Sequence, residues 1–475
     1  NDVMSVVQKE AGEDVLHVLD EMRGPLSSTF ETHSKHIVFC PPQGSWSSAD
    51  RKNLWSRVYD FVHEDVRKRY KVERSPIQPR VWTPQPYWDT SKIGGRRVRR
   101  KRFLYDLADR YMKIWADMGV KEICTHSLWK SDYTQDRRLT KNRRGLHGGL
   151  IVGSICNVRA HEISNLWGGT EALAYFIKKA HQHGIQVQLW WATHLSRRAP
   201  IFKERPDFMM MARDGLPNGG GFGHQSLITM DLNNKDCFDW VLGNMAKLHK
   251  QTGFDGVFHD SYGNMTFLPM NYADPLRRGQ QDAYGRLVSR LQQAGIKTFT
   301  VEGIGPLGVG HFGMNLVSTK NVKRRRGFQC ALDWWLGHED MAYALNFGVG
   351  VRPWRGNEPS AREFSFRCIA AGGRFGFSRN SKKVTLWRGW LREHNLLCAK
   401  LGTLVGRRTI LPDNQGMFWE REDGTRLLFT FRPFVFRCNA GDSISEILPD
   451  RDRPVRVKDG CLQVPAWRVY RIVRG

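Results

Sequence analysis

Three acids stand where short apolar runs end: Asp260 after GVFH, Glu302 after KTFTV and Asp333 after FQCAL. Carboxylates brought together in this way could break a glycosidic bond. One would attack the anomeric carbon and the other protonate the departing oxygen, with about 5 Å between them when configuration is retained. The same acids could instead cap the helices that follow or close Asx turns, because Asp is common in both places. The choice depends on whether the runs are strands of one sheet that end on a common face.

The elements around the acids point to such a sheet. Four segments repeat an amphipathic helix, a glycine and a short strand: DRYMKIWADMGVKEICTHS, AYFIKKAHQHGIQVQLWW, VLGNMAKLHKQTGFDGVFHD and YGRLVSRLQQAGIKTFTVEG. Leu104, Leu107, Tyr111, Ile114 and Met118 fall at helical spacing in the first, as do Phe238, Val241, Leu242, Met245 and Leu248 in the third. Gly119, Gly184, Gly253 and Gly295 occupy the position where helices end in a left-handed residue. The repetition predicts βαβ units and a parallel sheet.

Candidate strands at 79–83, 122–129, 185–191, 256–260, 297–303, 328–335, 345–351 and 373–378 number eight. Eight closes an α/β fold of the (β/α)8 TIM barrel type, and no G-x-G-x-x-G follows an early strand to favour an open doubly wound sheet. Residues 76–400 are therefore expected to form the barrel, with Asp260, Glu302 and Asp333 ending its fourth, fifth and sixth strands on the face where barrel chemistry collects. After residue 400, short alternating runs with EDGT and KDG turns predict a C-terminal antiparallel β domain over 401–475. Residues 1–75 hold one readable strand, KHIVFCPP, and one helix, ADRKNLWSRVYDFVHEDVRKRY, and read as the tail of a preceding module. The chain begins with Asn, which leaves room for an upstream domain or a removed signal.

Composition narrows the partners. The net charge of +26 is gathered in RRVRRKR (96–102), DRRLTKNRRG (136–145) and KRRRG (323–327), which could attract an acidic glycan or form a solvated basic face. No helix-turn-helix, RNP-type strand or zinc finger supports nucleic acid, and no run reaches the length of a membrane helix. Nine scattered cysteines without CxxC spacing argue against a disulfide framework or zinc ribbon. They favour a reducing, cytoplasmic setting and leave secretion open. HQH at 181–183 precedes a helix-ending glycine rather than ending a strand, so no metal and no cofactor is expected.

The run ITMDLNNKDCFDWVLGNMAKLHKQTGFDGVFHD resembles the segment leading to the nucleophile in melibiase-type α-galactosidases, and HGIQVQLWWATHLSRRAPIFKERPDFMM is similar to an upstream strand and turn of that family. VEGIGPLGVGHFG, LNFGVGVRPW and SFRCIAAGGRFGFS follow in the family's order, so the resemblance covers roughly residues 78–400. It implies a retaining glycosidase with Asp260 as nucleophile and Asp333 as general acid/base, Glu339 and Asp340 of HEDM being rival acids. Trp334 and Trp335 could desolvate Asp333.

Trp129, Trp190 and Trp191 could stack on sugar faces or belong to the core. His194, His259 and Glu302 are expected near the mouth as substrate contacts, with a structural role open for the histidines. The family's second strand ends in two sugar-gripping Asp where this chain has His126 and Ser127, and Phe258 stands in place of a Lys. Those departures leave the sugar open and keep an alternative in play, a non-catalytic carbohydrate- or polyanion-binding barrel.

Overall fold

A computed structural model describes residues 3–10, 13–20, 64–83, 100–132, 157–219, 227–260, 271–275, 279–302, 307–311, 345–346, 358–370, 372–373, 377–378 and 388–474. Its centre is an eight-stranded parallel sheet. The strands are β1 (Arg80–Trp82), β2 (Glu122–Cys124), β3 (Gln186–Trp191), β4 (Gly256–His259), β5 (Thr298–Glu302), β6 (Val309–His311), β7 (Leu345–Asn346) and β8 (Phe377–Ser378). Each pairs with the next from β1 to β7, and β8 returns to pair with β1, Phe377 opposite Val81. This is the expected barrel order with one correction. The sixth place in the sheet belongs to Val309–His311, whereas the expected sixth strand, 328–335, lies outside the described residues.

Helices α1 (Phe103–Asp117), α2 (Gly169–Gln182), α3 (Lys235–Thr252) and α4 (Gln281–Gln293) connect strands β1 to β5. Phe103, Leu104, Leu107, Ala108, Tyr111, Met112 and Trp115 form the buried stripe of α1, as the spacing predicts. The Asn234 side chain caps α3 by accepting from the N–H groups of Asp236 and Cys237, and Gly253 ends it with a φ of 73°. Gly119, Gly184 and Gly295 are left-handed at the corresponding stops.

Inside the barrel the side chains form layers. Near the N-terminal end, Arg80 pairs with Glu122 and donates to Gln188 (3.1 Å) and Thr300, while Gln188 donates to Thr298 at 3.1 Å. All five are buried, so hydrogen bonds offset the cost of removing the ion pair from water. The next positions on the same strand faces are Trp82, Cys124, Trp190 and Phe258, which make an aromatic layer above the polar one.

The segment before β1 is fastened to the barrel. Residues 64–70 are helical, the Tyr70 hydroxyl donates to Asp282, and a Cβ on Gly285 would fall 2.6 Å from the Tyr70 ring. Glu73 and Gln292 exchange hydrogen bonds of 2.9 and 3.0 Å, and Phe299 N–H donates to Ser75 Oγ at 2.8 Å. Residues 64–75, expected in a preceding module, thus pack on α4 and β5. Farther upstream, Val3–Glu10 and Glu13–Asp20 pair as an antiparallel hairpin that sequence patterning did not anticipate, and KHIVFCPP lies outside the described residues.

Beyond the helix α5 (Arg388–Leu401), six strands form an antiparallel sheet and Phe434–Arg437 pairs with Cys461–Val464 beside it. The EDGT turn closes as expected, Asp423 accepting from Thr425 N–H at 2.9 Å with Gly424 at positive φ. Among the described residues, no helix is long and apolar enough to cross a membrane.

Candidate functional site

Asp260 is the first residue past β4. Its N–H donates to Trp191 O at 2.8 Å, continuing the β3–β4 ladder by one step, and the residue is half-buried. Below it on the same face, Phe258 is buried and meets Trp82 edge-on with centroids 4.7 Å apart. Gly256 begins the strand because nothing larger fits: a Cβ there would lie 1.9 Å from Thr298 Oγ1 and 2.1 Å from Thr298 O. Glycine, apolar floor and acid alternate along one face of β4, as a strand of period two requires. The Cys124 thiol, on the inward face of β2, is pushed well above its ordinary range chiefly by burial, and the Asp260 charge adds to that shift.

The ladder brings a second acid level with the first. His259 pairs with Val301, so Asp260 and Glu302 are the next two residues of adjacent parallel strands, whose backbones run about 4.8 Å apart. Position 302 falls on the strand face of Thr298 and Thr300. Asp333, Glu339 and Asp340 lie outside the described residues.

His126 follows β2 at the same end of the barrel. It is half-buried, tilts over Trp82 at 5.2 Å, and its N–H donates to Thr83 Oγ1 at 3.1 Å. Its place just past a strand end is its signal in the sequence.

Several expected contacts face the other way. His259 and Trp191 are on the outward faces of β4 and β3, toward the helices. Their rings are 4.9 Å apart, and His259 also packs on Tyr284 of α4 at 4.8 Å. Trp191 Nε1 donates to His161 Nε2 at 3.1 Å, and Trp129 Nε1 donates to Trp190 O at 2.7 Å. Trp129, Trp190, Trp191, His194 and His259 are all buried. The structure therefore places Trp191 and His259 in the core behind the barrel wall and Trp190 in the aromatic layer within it, and buries Trp129 and His194 in the strands added after β2 and β3. Burial lowers the pKa of His161 to about 4 and of His194 to about 3, and pushes His259 well below its ordinary value.

Two antiparallel additions rise from this face. Trp129–Ser131 pairs with Val158–Ile163 after β2, and His194–Ser196 pairs with Leu227–Thr229 after β3. DRRLTKNRRG falls between the strands of the first and lies outside the described residues, as do KRRRG and all but the last three residues of RRVRRKR.

Asp231, in the DLNN stretch that follows Leu227–Thr229, is buried. Its carboxylate accepts from Asn233 N–H (2.9 Å), Gln280 Nε2 (2.9 Å) and Asn271 Nδ2 (2.8 Å). It thus ties Asn271 and Gln280, the residue before α4, to the DLNN stretch. Among the described residues, no group of three His, Cys, Asp or Glu is placed to hold a metal ion.

No protein-family model matches the chain, and no curated protein matches it. Solved structures do. A noncanonic maltogenic α-amylase from Thermotoga neapolitana has a TM-score of 0.53 at 12% identity over 83% of this chain and 98% of its own. An α-amylase from Geobacillus thermoleovorans, solved with acarbose, has 0.53 at 10% identity over 84% and 98%. A GH36 α-galactosidase from Geobacillus stearothermophilus has 0.51 at 11% identity over 83% of this chain and 55% of its own. At these identities the likeness is one of fold, a (β/α)8 barrel with a C-terminal antiparallel β domain, the architecture of these glycoside hydrolases.

Proposed function

We propose that the chain is a retaining glycoside hydrolase of the α-galactosidase-like type, with Asp260 as its nucleophile. The observation that carries this reading is the position of Asp260. It is a half-buried carboxylate just past the C-terminal end of β4, above an apolar floor, on the face where barrels of this fold carry their chemistry.

In the first step the Asp260 carboxylate attacks the anomeric carbon while a protonated acid donates to the leaving oxygen. In the second, that residue takes a proton from water, which releases the sugar from Asp260. Resemblance assigns the acid to Asp333, with Glu339 and Asp340 as rivals. The register beside Asp260 adds Glu302, expected from sequence as a substrate contact, to that set.

The departures at His126, Ser127 and Phe258 support a second reading, a barrel that binds glycan without cleaving it. Phe258 packs edge-on against Trp82 as an apolar floor where the resembled family has a cation.

Turnover of aryl α-glycosides decides between them. An enzyme loses its activity in Asp260→Asn and, with an activated fluorosugar, is labelled on the peptide containing Asp260. Absence of turnover with saturable oligosaccharide binding would favour the binding barrel.

A further inference from the structure

Two arginines are presented on a braced turn beside the two antiparallel additions. The Ser196 hydroxyl donates to the Asp132 carboxylate and accepts from Arg198 N–H at 3.1 Å, while Ala199 N–H donates to Ser196 O at 2.8 Å. Ser196 is buried, and Arg197 and Arg198 are exposed at the tip. The Asp132 side chain is 8% exposed, and its backbone N–H donates to Asn157 O at 3.0 Å. Arg159 completes the brace, with Nε 3.5 Å from Asp132 and Nη2 donating to Arg198 O at 3.3 Å. Residues 129–132, 157–163 and 194–199 therefore meet at one buried Asp132–Ser196 pair.

The charge at this junction is positive. Asp132 offsets one of Arg159, Arg197 and Arg198, and Lys130 is matched by Glu162 across the hairpin. In sequence, residues 133–156, whose flanks are joined at the same point, contain five Lys or Arg against one Asp. Residues 129–132 and 194–199 follow the C-terminal ends of β2 and β3, on the face that carries Asp260.

Resting on the glycosidase reading, we propose that Arg197 and Arg198 dock the anionic groups, carboxylate or sulfate, of an acidic glycan whose chain reaches the barrel mouth. A guanidinium matches either group through a planar pair of N–H donors. A turn held by four hydrogen bonds loses little further freedom when it binds, and a basic surface serving solubility alone has no need of that bracing.

The test is calorimetric titration of the full chain and of an Arg197→Ser/Arg198→Ser variant. The ligands are an oligouronide, a sulfated oligosaccharide, a neutral oligosaccharide of equal length and a short DNA duplex. Preferential binding of one or both acidic glycans is expected, weakened about 10-fold in the variant and by added salt, with the neutral ligand unaffected. Equal affinities in the two proteins would overturn the proposal. So would a duplex that binds as well as the acidic glycans and loses as much. Turnover of a neutral aryl glycoside, expected to be the same in both proteins, is measured in parallel. Its absence from the unaltered chain would sink the glycosidase reading, while the titrations would still decide the docking site.

Discussion

Gly256 and Thr298 meet across β4 and β5 with no space for a side chain between them, since a Cβ on Gly256 would fall 1.9 Å from Thr298 Oγ1. Four residues on, the same two strands carry Asp260 and Glu302 to the barrel mouth at one level. The close approach at the base of the strand pair thus sets the geometry at its top.

Gly256→Ala should therefore cost stability and activity together. Overpacking against backbone as well as a side chain is expected to cost about 3 kcal/mol. Urea unfolding measures it, and a midpoint unchanged from the unaltered protein would contradict the close contact.

The general acid can be identified by leaving-group dependence. The residue that protonates the leaving oxygen should, as Gln or Asn, slow a poor leaving group about 10²- to 10⁴-fold while sparing an activated aryl glycoside. Comparing Glu302→Gln with Asp333→Asn, Glu339→Gln and Asp340→Asn assigns the role. If all four behave alike toward both substrates, none of them is the acid.

Stability should fall as the solution is acidified below neutrality. His161, His194 and His259 are held neutral in the folded chain by burial, with pKa values of about 4 and about 3 for the first two. The unfolded chain takes up protons near pH 6.5. Between that pH and about 3 the unfolded state binds more protons, so the stability these residues contribute is full above 6.5 and is lost as pH falls. Glu122 works in the opposite sense, because burial raises its carboxyl despite Arg80. Thermal melts from pH 7 to 4 should show a falling midpoint, with a shallower slope in His194→Asn. A flat profile would contradict neutral burial.

Asp231→Ala should loosen Asn271 and the start of α4. It leaves Asn271 Nδ2, Gln280 Nε2 and Asn233 N–H without their acceptor, an expected loss of about 3 kcal/mol. Faster amide exchange around 271–281 would locate the effect, and unchanged exchange there would argue against the hub.

Much of the barrel was legible because local rules dictate it. Helical spacing of apolar residues, a glycine able to adopt positive φ and a short β-prone run recur in neighbouring stretches, so α1 to α4 and β2 to β5 could be read before any contact was known. Asp260 belonged to that readable part, as did the EDGT hairpin. The sixth strand did not: Val309–His311 is three residues among glycines, and its partners on β5 and β7 rather than its own propensity make it a strand.

What the sequence determined by itself is the repeat of helix, glycine and strand, and hence that Asp260 ends the fourth strand. The tertiary structure decided which side each neighbour faces. His259 and Trp191 adjoin the mouth in sequence, yet the pleat turns them outward onto Tyr284 and His161. It also decided the distant partnerships, Asp231 with Asn271 and Gln280, Ser196 with Asp132, and Glu302 level with Asp260. Period and propensity act over a few residues, whereas these depend on strand register and on chain segments that meet only when the sheet has formed.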